Sequence, residues 1–386
     1  MGDSDSLKSR LAILRSLRNP ALMMENPPPR KPSTPLTLEG WEQAGNAVWQ
    51  RKLSEPAGIP DSRDPDAILP ELRPEALRFF DLETTGLSGG AGTVAFLAGV
   101  GLFEGEKAVV YQVFLADFPG EREFLQILQG LLPEESLLVS YNGKSFDLPL
   151  WRTRCLMQGL PWAPPREHLD LLFLSRRLFR PLLGTCSLGD LESQILGIPR
   201  DNDVPGFLVP EVYFSFLKTG DRTELNRVFR HNEQDILSLV SLLRHLTLLL
   251  DHPCSADKVD RAGLGRLLLL NGHPEAEGFL RNALEAGDRK AGSVLAFHLK
   301  RAGRYDEADH TWRIIMESSA DLASAEERAK HLEHRKKNPE EALKVLNEAL
   351  LFSGVDANEN PWILHRIRRL ERKISRETGR VSPGTL

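Results

Sequence analysis

The stretch RFFDLETTGLSGG, residues 78–90, sets two carboxylates, Asp81 and Glu83, two positions apart at the end of an apolar run. LRFFDL reads as a buried strand, and residues two apart on a strand point to the same side. Both acids can therefore face one cation, with Thr84, Thr85 and Gly86 turning the chain away. Taken alone, the stretch reads equally as a solvated strand end or as half of a metal site.

Working outward, TVAFLAGVGLFEGEKAVVYQVFLAD gives two strands joined at EGEK, an antiparallel hairpin. EREFLQILQGLLP has Phe124, Ile127, Leu128 and Leu131 at helical spacing. SLLVSYN is a short apolar strand, and DLPLWRTRCLMQGLP is a helix ending at glycine and proline. HLDLLFLSRRLF runs from strand into helix, and from Glu224 the chain forms one long amphipathic helix. This order predicts an α/β mixed sheet flanked by helices over residues 76–252. Upstream, residues 1–75 read as a flexible extension, because ENPPPRKPSTP and SEPAGIPDSRDPDAILPELRP are linker-like. Between them, Trp41, Ala44, Val48 and Leu53 predict a short docked helix.

Downstream, residues 257–386 show no strand pattern. Ala308 and Trp312 recur 34 residues later as Ala342 and Leu346, and 32 residues earlier as Ala276 and Leu280. A period near 34, with small residues where helices touch, resembles tetratricopeptide repeats, and GRYDEA carries their Gly-x-Tyr-x-x-Ala element. The expectation is an all-α, TPR-like helical domain that must be capped or lean on the first domain. Its basic end, RIRRLERKISRETGR, reads either as a solvated helix or as a contact for nucleic acid or a partner.

The 386-residue chain is 41% apolar and 27% charged, with a formal net charge of -5. That supports one sizeable core plus a smaller domain and gives no global signal for nucleic acid, although a local basic groove remains open. Cys155, Cys186 and Cys254 are scattered without a CxxC pair, which points to a reducing compartment. No apolar run approaches the ~18–20 residues needed to span a bilayer. The start has acids before any apolar run, unlike a secretory signal. Gly2 and Ser6 match the loose myristoylation pattern, which is short enough to arise by accident. A cytoplasmic protein without membrane contact is expected.

Two further acids stand out. Asp147, in SYNGKSFDLPLW, follows a strand and opens a helix, while Asp235, in HNEQDILSLV, lies on the long helix. Four acids from separate elements offer the oxygen ligands that Mg²⁺ or Mn²⁺ prefer. Asp147 also reads as a helix N-cap. Lys144 reads as a phosphate contact or a solvated loop lysine. Arg176, Arg177 and Arg180, beside Asp170, either track a nucleic-acid backbone or solvate a helix. Asp170 itself reads as a plain strand-end acid or as a support for the site from a neighbouring strand.

FFDLETTGL, NGKSFD and HNEQD resemble the three motifs of the DEDD exonuclease superfamily, which has the ribonuclease H-like fold. TCSLGDLESQILGIPRDNDVPGFLVPEVYFSFLKTGD, followed by HNEQDILSLV, resembles the bacterial YprB family of ribonuclease H-like proteins, whose members often carry C-terminal tetratricopeptide repeats. The resemblance covers residues 38–250 and, more loosely, 257–352. It implies a two-metal nuclease, a 3′→5′ exonuclease on single-stranded DNA or RNA, with Asp81, Glu83, Asp147 and Asp235 holding two Mg²⁺ or Mn²⁺ ions. Thr84, Asn142, Lys144 and Arg177 are the candidate nucleic-acid contacts. The alternative is a catalytically weak or inactive nucleic-acid-binding module whose repeats recruit a protein partner.

One position departs from the superfamily pattern. Histidine-type members place His five residues before the last Asp, and tyrosine-type members place Tyr four before it. Here His231 stands four before Asp235, with Arg230 five before. The spacing keeps His231 on the Asp235 face of the helix, and imidazole suits general-base work near neutral pH. An interface histidine without a catalytic role is the other reading. Asn232 matches no catalytic position and reads as structural. Asp203 and Gly206, in DVPG, read as a family-specific loop near the site or as a tight turn.

Overall fold

Period-two apolar runs need a partner on either edge, and they find it in one seven-stranded sheet. The computed structural model describes residues 38–56, 72–86, 92–200, 203–255, 257–319, 321–355 and 360–378. The strands are β1 (Glu42–Gly45), β2 (Val48–Pro56), β3 (Leu77–Thr84), β4 (Ala95–Glu104), β5 (Lys107–Leu115), β6 (Leu137–Ser140) and β7 (Glu167–Asp170). Their order is β1-β2-β5-β4-β3-β6-β7. The pairs β2–β5, β5–β4 and β4–β3 are antiparallel, whereas β3–β6 and β6–β7 are parallel. The sheet is therefore mixed, as the sequence predicts.

The docked helix expected between Trp41 and Leu53 is corrected: most of that stretch is a strand. Val48–Pro56 pairs along its whole length with Lys107–Leu115. An apolar spacing of three, four and five residues mimics a helix, but the edge of β5 offers backbone partners that a short exposed helix cannot match. The proline-rich residues 25–35 and the linker residues 57–71 lie outside the described residues.

Helices flank the sheet: α1 (Glu121–Leu131), α2 (Asp147–Met157), α3 (Leu171–Leu178), α4 (Arg180–Leu183), α5 (Leu188–Leu191), α6 (Val209–Thr219) and α7 (Leu225–Asp251). A π-helical turn, Glu192–Leu196, follows α5 directly. α7 lies against β4, β3 and β5, and its buried Asn232, Ile236, Leu239 and Leu243 form the helical stripe that meets them. The C-terminal region is all helical: α8 (Arg261–Leu270), α9 (Ala276–Glu285), α10 (Arg289–Arg301), α11 (Tyr305–Ser319), α12 (Leu322–His334), α13 (Pro339–Ser353) and α14 (Pro361–Thr378). The repeated positions Ala276, Ala308 and Ala342 are all buried, as are Leu280, Trp312 and Leu346.

The apolar core runs without a break from Phe79 and Val139 in the sheet, through Leu243 and Leu250 of α7, into Leu264, Leu280 and Trp312 of the helical array. The array therefore leans on the α/β part instead of standing as a free stack. A second cluster, around Ala325, Ala342, Leu346 and Leu370, closes its far end. Among the described residues, no helix is long and apolar enough to cross a membrane, and Cys155, Cys186 and Cys254 are free.

Candidate active site

Asp81 and Glu83 lie on β3, where Asp81 pairs in register with Gly99 of β4 and Glu83 with Leu97. The register shifts between Glu83 and Thr84, and this irregularity ends the regular ladder directly after the second acid. Gly99 sets how close α7 can come. A Cβ there would sit 2.5 Å from Asn232 Oδ1 and 2.8 Å from Ile236 Cγ1. With only hydrogen in that place, Asn232 Nδ2 donates to Asp81 Oδ2 at 2.9 Å. Asn232 Oδ1 accepts from Gln112 Nε2 at 2.8 Å, and Gln112 Oε1 accepts from Arg51 Nε at 2.6 Å. A relay through two fully buried amides, Gln112 and Asn232, thus runs from Arg51 of β2 to the first acid. The sequence gives Asn232 no such part, because its meaning depends on which strand position faces it.

Asp147 arrives on a tight loop. Asn142 has φ 67, and a Cβ on Gly143 would sit 2.4 Å from Ser140 Oγ and 3.4 Å from Asp147 Oδ2. Asp170 braces this loop. Its Oδ1 accepts from Asn142 N at 2.8 Å and its Oδ2 from Lys144 N at 3.0 Å. Oδ1 also accepts from Leu172 N at 3.1 Å, capping α3. The acid is thus more than a strand end. The N-cap of α2 is Phe146, and Asp147 is its first helical residue.

Asp235 and His231 stand one turn apart on α7. His231 Nε2 lies 3.5 Å from Asp235 Oδ2 and 3.8 Å from Glu83 Oε1, while Nδ1 lies 2.6 Å from Asp203 Oδ1. Arg200 is the residue the sequence does not announce. Its guanidinium contacts Asp235 Oδ1, Asp203 Oδ2 at 3.0 Å and the fully buried Glu192. Glu192 opens the π-helical turn and also accepts from Ser238 Oγ at 2.5 Å.

The candidate nucleic-acid contacts fare differently. Thr84 Oγ1 is tied to Gly86 O at 2.8 Å, so it fixes the turn. Asn142 and Lys144 give their amides to Asp170 and leave their side chains exposed beside the acids. Arg177 is exposed near the end of α3, about 10 Å along the helix from Asp170, where Leu178 O accepts from Asp260 N ahead of α8. That end faces the helical array.

The acids repel one another at a site where Glu83 and Asp147 are buried and Asp81 and Asp235 half-buried. Burial, then the charges of Asp235 and Asp147, holds the Asp81 carboxyl well above its usual range. Burial, then Asp81, Asp235 and Asp147, does the same to Glu83. Burial pushes Asp147 up to about 7, partly offset by hydrogen bonds from its own amide and that of Leu82. Burial raises Asp235 as well, against the pull of His231 and Arg200. At Asp203 the bonds from His231 and Arg200 outweigh burial, and that carboxyl stays below its usual range.

Does this set suit hard divalent cations? Glu83 Oε1 is buried with no hydrogen-bond partner, an acceptor left open among other carboxylates. The donors are carboxylate oxygens, the ligand type such cations select. Among the described residues, however, no group of three or more His, Cys, Asp or Glu side chains is set, as it stands, to hold a metal ion. Arg200 supplies a reason, since its guanidinium already takes one oxygen of Asp235. The donor chemistry fits, and one of the four acids, Asp235, is paired with an arginine cation.

Residues 78–247 match the RNase_H superfamily. Over 314 residues the chain is 35% identical to "Uncharacterized protein YprB" of Bacillus subtilis (strain 168), covering 78% of this chain and 75% of that one. Among solved structures it is similar to the family B DNA polymerase of Pyrobaculum calidifontis, with 16% identity, a TM-score of 0.36 and 59% of this chain covered. The chain spans about a third of that polymerase, 34%. With this identity over most of both chains, the chain belongs to the YprB family of ribonuclease H-like proteins.

Proposed function

We propose that this nuclease-type fold is a metal-dependent nuclease, a 3′→5′ exonuclease on single-stranded DNA or RNA. The observation that carries the reading is the unpartnered Glu83 Oε1, buried among Asp81, Asp147 and Asp235 with His231 Nε2 at 3.8 Å. Asp81, Glu83, Asp147 and Asp235 would hold Mg²⁺ or Mn²⁺. When bound, two such ions offset the carboxylate repulsion, polarise the scissile phosphate and balance charge on the leaving 3′ oxygen.

The chain's own residues supply the rest. His231 Nε2 accepts a proton from the attacking water, and its nearness to Asp235 and Glu83 sets that water on the acid side of the phosphate. Asn232 keeps Asp81 in place, and Asp170 keeps the Asn142–Asp147 loop closed. The exposed Lys144 meets the substrate backbone as a mobile cation.

The test is full-length protein with Mn²⁺ or Mg²⁺ and 5′-labelled single-stranded DNA and RNA. A ladder shortening from the 3′ end is expected. Intact substrate at every metal concentration sinks the reading. One observation favours a second reading, a nucleic-acid-binding module with a helical scaffold for a protein partner: Arg200 holds the acid a metal would need. Isothermal titration with Mn²⁺ separates the two. A nuclease binds Mn²⁺ at a cluster lost in Asp81→Asn, and a binding module does not.

A further inference from the structure

The geometry points to Asp203 as the residue that positions His231, making an Asp203–His231 dyad in which Asp203 holds the imidazole proton on Nδ1 and leaves Nε2 free to accept. The inference rests on the nuclease reading for its catalytic meaning, but the dyad itself stands on contacts. Asp203 Oδ1 lies 2.6 Å from Nδ1, on the opposite side of the ring from Glu83 and Asp235.

Two anchors fix the carboxylate and a third fixes its backbone. Val204 N donates to Asp203 Oδ1 at 2.8 Å, and Arg200 Nη1 donates to Oδ2 at 3.0 Å. The carbonyl of Asp203 accepts from Arg227 Nη2 at 3.0 Å, and Arg227 stands one turn before His231 on α7. The loop is thus stapled to the same helix that carries the histidine. Arg200 is held in turn by the buried Glu192, so the carboxylate cannot drift towards the acid cluster.

A neutral imidazole has one N–H, and its position decides which nitrogen can take a proton. An ionised carboxylate only accepts, so Nδ1 must be the donor to Asp203. Arg200 Nη1 also lies 3.3 Å from Nδ1, and a guanidinium only donates. These two contacts ask for opposite tautomers. The 2.6 Å carboxylate contact is the shorter and is charge-assisted, so it wins. In water, histidine prefers the proton on Nε2, the tautomer that would be useless as a base at this site. Asp203 reverses that preference. This answers the departure of His231 from the superfamily spacing: at four residues before Asp235 the ring still directs Nε2 to the acids because the loop acid holds its other side.

The test has one readout that needs no metal. Full-length protein labelled with ¹⁵N-histidine, in EDTA at alkaline pH, is examined by long-range ¹H–¹⁵N correlation, with His231 assigned by its loss in His231→Gln. The wild type is expected in the Nδ1–H form, and Asp203→Ala moves it towards Nε2–H. A wild-type His231 in the Nε2–H form overturns the dyad, whether or not any variant folds. In Mn²⁺-dependent cleavage, Asp203→Ala should lower kcat about 10–10³-fold with KM within twofold, and Asp203→Glu should recover part of it. The double variant Asp203→Ala/His231→Ala should be no slower than His231→Ala alone. A kcat within twofold of wild type in Asp203→Ala, or a double variant slower by the full product of the two effects, also overturns it. An Nδ1–H wild type that cleaves nothing upholds the dyad and sinks the nuclease reading.

Discussion

Asn232 and Asp81, 151 positions apart in sequence, are joined by a 2.9 Å hydrogen bond inside the contact between α7 and β3. The donor is an amide with no freedom left, because its oxygen is already bonded to Gln112. Asp81 is therefore oriented before any cation arrives. Asn232→Ala removes this hold and leaves Gln112 Nε2 with Phe229 O alone. A loss of about 1–3 kcal/mol of stability is expected. Metal-dependent cleavage should fall further than the residual folded fraction explains. Unchanged cleavage in a folded Asn232→Ala protein would show that Asp81 needs no orientation.

The same contact makes Gly99 a sensitive position. Gly99→Ala puts a methyl 2.5 Å from Asn232 Oδ1, which is pinned, and 2.8 Å from Ile236. The helix must shift, and overpacking of this kind costs about 1–3 kcal/mol. Gly99→Ala should lower the melting temperature and, through Asn232, weaken cleavage. Ordinary stability in this variant would mean that α7 yields freely at the contact.

Much of this was legible because it is periodic or local. Asp81 and Glu83 announce themselves by a period of two on an apolar strand, and Asp235 by the amphipathic helix around it. Asn232 was not legible, since its part depends on the register that sets Gly99 opposite Asp81. Arg200 was hidden for a similar reason, since it meets Asp235 across 35 residues of chain. Asp203 was legible only as an open choice between a loop near the site and a tight turn, because the contact that decides it, with His231, lies 28 residues away. A helix is expected in place of β1 and β2 because Trp41, Ala44, Val48 and Leu53 imitate a helical face, and only the pairing of β2 with β5 resolves the ambiguity.

The strained charge of the cluster gives a pH dependence with a definite sign. Burial pushes the Asp147 carboxyl up to about 7, against an unfolded value of about 3.9. The folded state therefore binds this proton more tightly than the unfolded chain. The stability so gained is complete below about pH 4 and is lost as pH rises through about 7. Asp147→Asn carries no charge to desolvate. In EDTA it should melt above wild type at pH 8 and close to wild type at pH 4. A variant that melts below wild type by the same margin at both pH values would contradict the assignment.

Arg200 connects stability to metal binding. It neutralises the fully buried Glu192 and occupies Asp235, so it fills part of the role a divalent cation would have at the fourth acid. Arg200→Met leaves Glu192 buried and unpaired, which costs about 3–5 kcal/mol. It also frees Asp235 Oδ1. Mn²⁺ should then raise the melting temperature by more in Arg200→Met than in wild type, because stabilisation grows with affinity for the folded state. If Arg200→Met does not fold without metal, its folding by added Mn²⁺ is the same result in stronger form. Arg200→Lys keeps a positive charge but not the planar fork that reaches three acids at once, so it should fall between the two. Equal Mn²⁺ shifts in all three proteins would show that the guanidinium and the cation do not compete for Asp235, and that Arg200 serves Glu192 and the Asp203 loop alone.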